Sequence, residues 1–516
     1  MIATSIPPTQ RAIQLTGPDQ LQLTESKPVP RPGPYQILAR VEVCGLCFSD
    51  LKLLKQFDQH PRKSAVRAGL DQNALLEIPS YVPGKRPTVP GHETVVRVVA
   101  VGDKVRHARV GGRYLVQTDY RWLPTAAGAS AFGYNFEGAL QEYVLMDERA
   151  ITAPDGESML IPVPENLPAS ALALCEPWAC VEDAYVDRQR QAFKPDGKCL
   201  VVGDGEVNVP HAIRARPDSL PDGLFDDVIY FGHDPSVVEQ LFPKIAPHGL
   251  LVLVQCGGKF GRLVTTAVGK IHYGPIRIVG TTGHDVRDAL ATIPATAEIR
   301  PHDKIHIVGA AGPMGQMHVI RNLCQGVPGI HIYAGDLSDE RLAKLEKLAR
   351  PLAERYGFGL TTYNPSHTKP TEKFTYIVLM APIPALVAEA VLDAAPGAII
   401  NIFAGIPADK TAPVDLDQYI AKRCYFIGTS GSTLDDLKAV LRKVVSGQLD
   451  TNLSVAAVAG LDGAIDGIRA VEKNTMPGKI LVYPSVKGLK LTPITELIGD
   501  RQWDAASEQS LLQRSS

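Results

Sequence analysis

Three short stretches of the chain carry the side-chain types that bind transition metals. They are Cys44-Gly-Leu-Cys47-Phe-Ser49-Asp50, Gly91-His92-Glu93 and Cys175-Glu176-Pro177. Thiolate, imidazole and carboxylate groups together suit a tetrahedral zinc ion that keeps one position open for water or substrate. The combination therefore predicts a catalytic metal site.

Each stretch also has a simpler interpretation when it is taken alone. Cys44 and Cys47 have the spacing of a redox pair, although no thioredoxin-like βαβ pattern surrounds them. His92 could be a hydrogen-bonded core histidine, and Glu176 could cap a helix. The residues alone leave these alternatives open.

A second candidate site lies in the later half of the chain, where an apolar β-branched run from Ile305 leads into a glycine turn. The turn reads Gly309-Ala-Ala-Gly312-Pro313-Met314-Gly315, and an apolar helical stretch follows it. Such glycines let a pyrophosphate approach the backbone at a helix N-terminus. Asp336 ends the next apolar run, where it would bind a ribose 2′-OH and repel a 2′-phosphate, which favours NAD over NADP. The alternative is a structural glycine turn in another α/β protein.

Composition bounds the class of protein. The chain has 516 residues, a formal net charge of −2 and 45% hydrophobic residues, typical of a globular protein with about three to four domain-sized units. It has no long charged run that would favour nucleic acid or a membrane surface as partner. The N-terminus lacks the pattern of a secretory leader, and the eight cysteines are scattered, so we expect a cytoplasmic protein with reduced thiols.

The chain order predicts a β-rich first region and an α/β second region. Short alternating runs broken by Pro and Gly extend from about residue 13 to 144 and predict a barrel-like domain. Inside it, residues 51–89 form a basic, proline-bearing segment long enough to be a functional loop or lid, or else a solvated surface excursion. Residues 169–191 have helical spacing and lead into the nucleotide-binding region.

Half of a nucleotide-binding unit occurs twice. When residues 227–290 are laid over residues 375–438 without gaps, five pairs coincide at one offset: Gly249 with Gly397, Gly257 with Gly405, Gly280 with Gly428, Thr281 with Thr429 and Gly283 with Gly431. The apolar runs coincide as well, so the duplication is internal to the chain.

The earlier copy is degenerate. It keeps Gly203 and Gly205, but Asn208 stands where the third glycine would be, and Pro210 blocks a following helix. The chain then passes almost directly to the next apolar run, so no second strand supplies an acid for a ribose. We therefore predict that residues 197–300 pack against or extend a sheet and do not bind a nucleotide.

An ordered set of motifs resembles the zinc-dependent medium-chain alcohol and polyol dehydrogenases, the sorbitol dehydrogenase branch in particular. In chain order the motifs are GLCFSD, VPGHE, EGALQEYV, LCEPWA, the glycine turn and PGKILVYP. The second half also resembles the sorbose-1-phosphate reductase group through GAAGPMG, INIFAG, IGTSGSTLDDLK and PGKILVYP. This resemblance implies a GroES-like β-barrel catalytic domain and a Rossmann doubly wound parallel sheet, to which the degenerate half-Rossmann copy is added.

The resemblance also implies roles for individual residues. Cys47, His92 and Glu176 would hold the zinc, with Glu93 as an exchangeable or neighbouring carboxylate, while Ser49 would lie on the proton path and Asp50 would orient a ligand. The strand ends that follow the glycine turn would line the nicotinamide. The cofactor-binding set is then Gly309, Gly312, Pro313, Met314, Gly315, Asp336, Arg341, Ala381, Phe403, Gly405, Gly428 and Thr429.

Two departures from the family pattern stand out. Lys52 occupies the place where many members have a histidine that ends the proton relay, and it could instead bind an anionic group of the substrate. Residues 111–137 contain no cysteine, whereas many relatives hold a second, non-catalytic zinc there. We therefore expect one zinc ion per chain.

These observations favour a zinc-dependent NAD(H) oxidoreductase that acts on a polyol, a sugar or a sugar phosphate. A phosphorylated substrate would suit six basic residues: Lys52, Lys55, Arg62, Lys63, Lys85 and Arg86. The alternatives are a zinc-free quinone or enone reductase of the same fold, an inactive NAD-binding scaffold protein, and an enzyme that uses NAD only transiently.

The predicted domains are 1–190 (catalytic), 197–300 (degenerate copy), 301–450 (NAD-binding) and 451–516 (a return to the catalytic domain and a tail with one short helix). The resemblance implies a homodimer or homotetramer.

Overall fold

The computed structural model describes residues 6–429 and 431–514. The chain divides into two compact units, a discontinuous first unit (Met1–Ala179 and Ser432–Ser516) and a continuous second unit (Cys180–Gly431). Residues 1–5 of the N-terminal stretch lie outside the described ranges. Within those ranges we find no helix with the length and apolarity needed to cross a membrane.

The first part of the first unit is rich in strands, as the alternating pattern predicted. Its strands are β1 (Thr9–Gly17), β2 (Gln20–Pro28), β3 (Gln36–Gly45), β4 (Glu93–Val101), β5 (Arg113–Val116), β6 (Asp119–Pro124), β7 (Ala129–Ala131), β8 (Tyr143–Asp147) and β9 (Leu160–Pro162). Its helices are α1 (Phe48–Gln56), α2 (Gln72–Leu76), α3 (Glu148–Ile151), α4 (Ala169–Ala173) and α5 (Cys175–Val186), the last of which continues into the second unit.

The second unit contains both copies. The earlier copy consists of β10 (Cys199–Val202), β11 (Ile213–Ala215), β12 (Phe225–Phe231), α6 (Pro235–Leu241), β13 (Ile245–Val254), β14 (Val264–Thr266), α7 (Val268–Tyr273), β15 (Arg277–Thr281) and α8 (Val286–Leu290). The later copy consists of β16 (Lys304–Val308), α9 (Pro313–Cys324), β17 (His331–Gly335), α10 (Asp339–Tyr356), β18 (Gly359–Tyr363), β19 (Phe374–Leu379), α11 (Pro384–Asp393), β20 (Ala394–Ile402), β21 (Ala412–Val414), α12 (Leu416–Ala421) and β22 (Tyr425–Ile427).

The chain then completes the first unit. Its last elements are α13 (Leu434–Val445), β23 (Val455–Ala459), α14 (Leu461–Glu472), β24 (Lys479–Val482), β25 (Thr492–Pro493), α15 (Ile494–Ile498) and α16 (Ala505–Gln513). Helix α14 and strand β24 bring the chain back into the first unit. The prediction of one short helix in the tail is wrong, because Gly499 ends α15 with a positive φ and the chain restarts at α16.

The main sheet of the first unit is built from distant parts of the chain. Its strand order is β25-β23-β24-β3-β4-β5-β9, and β8 also pairs with β3. Strand β3 is therefore flanked by β24 from the C-terminal part and by β4 from the N-terminal part. Its apolar residues Ile37, Ala39 and Val41 are buried in the core of this unit.

The two larger sheets of the second unit are parallel throughout. The later copy has the order β18-β17-β16-β19-β20-β22, in which the strand order reverses beside β16. Ligands of such doubly wound sheets bind at the carboxyl edge beside this reversal. The earlier copy has the order β11-β10-β12-β13-β15, so it repeats the pattern with one strand fewer.

The segment 51–89, for which we considered a lid, is ordered by contacts within the first unit. The side chain of Asn135 donates to the carbonyl of Ser64, and the carbonyl of Asn135 accepts from the backbone of Val82. Its α2 begins at the capping side chain of Asp71. A function as a lid stays a prediction.

Candidate zinc and dinucleotide sites

Strand pairing brings the first two metal-binding stretches together. In the antiparallel pair of β3 and β4, Gly45 at the end of β3 lies opposite Glu93 at the start of β4. Cys47 follows β3 by two residues and His92 immediately precedes β4. Their side chains consequently meet at one edge of the sheet.

The thiol of Cys47, the imidazole of His92 and the carboxylate of Glu93 form a compact donor set. One ligand atom from each lies within 4.8 Å of the others, with His92 and Glu93 buried and Cys47 half-buried. Across the described ranges, this is the one group of three such side chains that could hold a metal ion. The donor types are those that zinc prefers, so the residues fit the ion that the sequence predicted.

Asp50 fixes the orientation of the histidine. Its Oδ1 lies 3.1 Å from His92 Nδ1, and its Oδ2 accepts from the backbone N–H of Cys47 at 3.2 Å. Burial favours the neutral ring, but Asp50 outweighs it and holds the pKa of His92 well above its ordinary value. A carboxylate on Nδ1 leaves Nε2 available to a metal ion, which is the usual arrangement around zinc-binding histidines.

The hydroxyl of Ser49 contacts two of the donor atoms. Ser49 Oγ lies 3.1 Å from Cys47 Sγ and 3.2 Å from His92 Nε2. Because α1 begins directly after Cys47, Ser49 and Asp50 both belong to its first turn. One helix start therefore positions a thiol, a hydroxyl and the orienting carboxylate.

Glu93 has one satisfied oxygen and one without a partner. Its Oε1 pairs with the ammonium of Lys479, which also donates to the carbonyl of Leu46 at 2.7 Å. Its buried Oε2 has no hydrogen-bond partner among the described atoms. Burial alone would favour the neutral amine, but Glu93 outweighs it and raises the pKa of Lys479. Sequence reasoning missed the role of Lys479, which stands in the motif PGKILVYP, because nothing in that motif indicates a contact with Glu93.

Glu176 lies in the first turn of α5 and is buried. Burial raises the pKa of its carboxyl to about 7; His92 opposes this shift and Glu93 adds to it. Glu176 thus interacts with the donor set, but it is not one of the three residues whose ligand atoms lie within 4.8 Å. Metal binding by Glu176 or by Glu93 stays a prediction.

Polar and aromatic side chains surround the donor set within the first unit. The ring of Tyr134 lies 5.8 Å from that of His92 and 5.2 Å from that of His60, measured between centroids. The guanidinium carbon of Arg62 lies 5.6 Å from the centroid of Tyr134, and Arg62 forms an ion pair with Asp119. Tyr134, His60 and Asp119 lie outside the predicted motifs, so no sequence signal pointed to them.

Two of the basic residues considered for a phosphate group already have partners in the fold. Lys63 is fully buried, where its ammonium donates to the carbonyls of Val82 and Arg86, and burial lowers its pKa to about 7. Lys55 pairs with Glu472 at 3.0 Å. Lys63 is thus committed to the core, whereas the ion pair of Lys55 is a surface contact.

The glycine turn of the second unit has the predicted form of strand, turn and helix. Gly309 adopts a φ of +82°, which favours glycine, and any side chain on Gly315 would collide with the carbonyls of Gly309 and Ala310. Gly312 is the N-cap of α9 and Pro313 its first residue, with the space beside Gly312 open. The N–H groups of a 12-residue helix therefore face outward beside the turn.

Asp336 directly follows β17, beside this turn. Its Oδ2 accepts from the backbone N–H of Ala311 at 3.1 Å, and its Oδ1 accepts from that of Ser338. A cavity of about 640 Å³ opens here, lined in part by Gly309, Asp336 and Leu337. The cavity can accommodate a nucleoside.

The other predicted cofactor residues lie at the carboxyl edge of the same sheet. Ala381 follows β19, Phe403 and Gly405 follow β20, and Gly428 and Thr429 follow β22. The buried hydroxyl of Thr429 has no partner among the described atoms. Arg341 lies in the first turn of α10, where its backbone N–H is capped by Ser338. Met314 lies in the first turn of α9.

The earlier copy has lost the corresponding site. The ring of Phe231 packs directly on Gly205, which leaves no room there for even a methyl group. The expectation that no strand follows the turn is wrong, because the three-residue β11 pairs in parallel with β10. By register, however, Arg216 stands where the later copy has Asp336, so the missing acid agrees with the sequence. No helix forms between Gly203 and β11, as Pro210 predicted.

The first unit carries a cysteine, histidine and glutamate donor set, and the second unit carries a doubly wound sheet with a dinucleotide-type glycine turn. The family model "Alcohol dehydrogenase GroES-like domain" matches residues 33–155. This match supports the resemblance to the medium-chain alcohol dehydrogenase superfamily, through a GroES-like domain in the first unit.

Two proteins of Escherichia coli are similar to this chain in sequence. The uncharacterized Escherichia coli protein YggP is 28% identical over 211 residues, 38% of this chain and 49% of YggP. The uncharacterized zinc-type alcohol dehydrogenase-like protein YphC of E. coli is 25% identical over 302 residues, 53% of this chain and 78% of YphC. The chain thus spans about half the length of YggP.

A solved structure shows the same fold. The 2R,3R-butanediol dehydrogenase of Bacillus subtilis superposes with a TM-score of 0.55 at 18% identity, and the match covers 92% of this chain and 100% of that one. At this identity the likeness concerns the fold alone.

Proposed function

We propose that the chain is a zinc-dependent NAD(H) oxidoreductase that interconverts a secondary alcohol and a ketone on a polyol or sugar. The observation that carries the proposal is the donor set of Cys47, His92 and Glu93, whose ligand atoms lie within 4.8 Å beside the hydroxyl of Ser49. A quinone or enone reductase without zinc has no need of this arrangement.

The fit to zinc rests on chemistry as well as on distance. The buried Oε2 of Glu93 has no partner in the described structure, and a buried carboxylate oxygen is costly to leave unpaired. A zinc ion held by Cys47, His92 and one of the two glutamates would polarise an alcohol or carbonyl oxygen. Lys479 meanwhile compensates the charge of Glu93.

The chain's own groups would manage the proton. Ser49 Oγ lies within hydrogen-bond distance of two donor atoms, so it is placed to accept a proton from a substrate hydroxyl bound among them. Asp50 keeps His92 in one orientation while this happens. Lys52 occupies the usual position of the histidine that ends the relay, so we propose that the proton leaves Ser49 by another route.

The second unit would bind the cofactor that exchanges the hydride. The backbone N–H groups at the start of α9 would bind the pyrophosphate, and Asp336 would bind the ribose hydroxyls of NAD. A 2′-phosphate would be repelled by Asp336, which supports NAD over NADP. The strand-end residues Ala381, Phe403 and Thr429 would line the nicotinamide.

The groups near the donor set support a neutral, hydroxyl-rich substrate. Arg62 offers N–H donors and Asp119 offers acceptors, a combination that suits the several hydroxyls of a polyol or sugar. Arg62 is already paired with Asp119, and Lys63 is turned into the core. We therefore place a phosphorylated sugar second among the candidate substrates.

Metal content and turnover test the proposal together. Protein purified without chelator should hold about one zinc per chain by mass spectrometry, and it should reduce NAD with members of a polyol and sugar panel. C47S should lose both zinc and activity, and E176Q and E93Q should show which glutamate holds the ion. C256S, which removes a thiol in the earlier copy, serves as the matched control and should keep both.

Two results would contradict the proposal in different ways. Well-folded protein without zinc that still oxidises NADH with quinones or enones would indicate a zinc-free reductase. Tight NADH binding without turnover on any member of the panel would indicate a scaffold protein.

A further inference from the structure

The two copies meet through equivalent elements inside the second unit. The offset of 148 residues that aligns Gly280 with Gly428 also carries β14 onto β21, α7 onto α12 and the start of β15 onto the start of β22. Strand β14 pairs with its own equivalent, β21. Such a pairing of like with like occurs when two related bodies face each other across a two-fold axis.

The register of this pairing is symmetric. Thr265 pairs with Pro413, which is the equivalent position in the later copy. Val264 pairs with Val414 on one side of this pair, and Thr266 pairs with Ala412 on the other. When each residue is replaced by its equivalent in the other copy, the first of these pairs becomes the second. An approximate two-fold axis therefore passes between Thr265 and Pro413.

The paired glycines of the sequence alignment show the same symmetry. A Cβ atom on Gly280 would lie 2.7 Å from the side chain of Ile420 in α12. A Cβ atom on Gly428 would lie 2.9 Å from the Cα of His272 in α7. Since His272 is the equivalent of Ile420, each glycine lets the other copy's helix approach in the same way. These contacts are reciprocal, as in an isologous interface.

The interface is buried and continuous with the core of the unit. Val264, Val268 and Ile271 of the earlier copy are fully buried in one apolar cluster with residues of the later copy. On the other side Val414, Leu416 and Tyr419 belong to the same cluster. An apolar interface of this kind resembles that of a permanent dimer.

Other contacts across the axis are one-sided. The carboxylate of Asp417 accepts from the backbone N–H groups of Phe260 at 2.9 Å and Gly261 at 3.0 Å, but the equivalent of Asp417 is Gly269. Tyr419 Oη donates to the carbonyl of Ile278 at 2.7 Å, but its equivalent is Ile271. These bonds run in one direction only, because the earlier copy lacks the carboxylate and the phenol hydroxyl that would return them.

We infer that the degenerate copy is a built-in replacement for a second subunit. The face formed by β21, α12 and β22 is self-complementary, and the partner it fits is a body of its own fold, supplied here by residues 227–290 of the same chain. A second copy of the chain does not bind at this face, and any homo-oligomer uses other surfaces. The inference does not depend on the zinc or NAD chemistry proposed above.

Cross-linking at the two-fold axis tests this. Thr265 and Pro413 are both exposed, and neighbouring residues of antiparallel strands have Cα atoms about 4.5–5.5 Å apart, within the range of a disulfide. After mild oxidation, the double variant T265C with P413C should form one disulfide within the chain. It should migrate as a single chain without reductant, and peptide mapping should join the two positions.

The single variant P413C distinguishes the two kinds of partner. Because this position lies on the axis, a second copy of the later unit bound at the same face would bring two P413C thiols together and give a covalent dimer. We expect P413C alone to stay unlinked under the same oxidation, as should the wild type with its eight native cysteines.

Three results would overturn the inference. They are a covalent dimer in P413C, an interchain link between the two positions in the double variant, and a double variant whose new thiols both react with a maleimide in the folded protein. Thermal unfolding of each variant, compared with wild type, verifies that the protein is folded in every arm.

Discussion

Under the proposed function, Asp336 is the residue that we expect to favour NAD over NADP. Replacing it with alanine removes the carboxylate that would bind the ribose hydroxyls, and a hydrogen bond to a charged group contributes about 1.5–3 kcal/mol. We expect D336A to weaken NADH binding by about 10- to 100-fold in a fluorescence titration. The affinities for NADH and NADPH should also become more similar. E340Q, an exposed change on the following helix, is the matched control. Unchanged NADH affinity in D336A would show that the cofactor binds elsewhere.

His306 makes the stability of the second unit sensitive to acid. Its ring stacks on Phe374 and contacts the hydroxyl of Tyr363, and burial, helped by the charge of Lys369, lowers its pKa to about 4. Since the unfolded chain takes up this proton near pH 6.5, the contribution of His306 to stability falls as the pH drops from about 6.5 towards 4.

The variant H306F should reduce that acid sensitivity. Between pH 7.5 and 5, urea unfolding should show a loss of stability smaller than that of wild type by roughly 2 kcal/mol. H367N, which changes an exposed histidine, should show the wild-type pH dependence. An equal loss in H306F and wild type would mean that His306 does not stay neutral in the folded state.

At the scale of elements, the C-terminal helix α16 completes a distant helix start. Helix α4 has Pro168 at its N-cap, which offers no side-chain cap, and Glu508 of α16 accepts from the backbone N–H groups of Ala169 at 2.7 Å and Ser170 at 2.8 Å. The C-terminal tail thus caps the short helix that precedes Glu176.

Removing this cap should destabilise the first unit. E508A leaves two buried N–H groups without an acceptor, which should lower the free energy of unfolding by about 1–3 kcal/mol in urea titrations. E496A, on the exposed face of α15, should change it by less than about 0.5 kcal/mol. A similar small change in both variants would contradict the capping role.

The elements themselves were largely predictable, because local patterns determine them. The β-branched run before Gly309 and the helical spacing after Gly315 give β16 and α9, and Pro210 prevents the matching helix in the earlier copy. The short strands β11 and β14 were missed, since three residues show no periodicity and pairing alone defines them.

The candidate site was predictable only where the residue types themselves suggest metal binding. Cys47 and His92 stand in short motifs and meet because β3 pairs with β4. Lys479 lies 386 residues from Glu93, and Glu508 lies 339 residues from Ala169. Contacts over such distances depend on the folded topology, which local sequence patterns do not encode.

At the scale of the whole molecule, the two copies differ in the features that the proposed cofactor site requires. Only the later copy keeps the open glycine turn with Asp336, whereas Phe231 and Arg216 occupy the equivalent places in the earlier copy. We expect calorimetry to give one NADH per chain. Two equivalents per chain would show that the earlier copy still binds a nucleotide.

The discontinuity of the first unit has a consequence for its synthesis. Residues 180–431 form a continuous unit that can fold while translation continues, but the sheet containing β3 lacks β24 until residue 482 has left the ribosome. Until then Lys479 is not in place to compensate the charge of Glu93. Glu508, which caps the start of α4, is synthesised later still. The unit that carries the proposed metal site is therefore completed last, after the unit that carries the proposed nucleotide site.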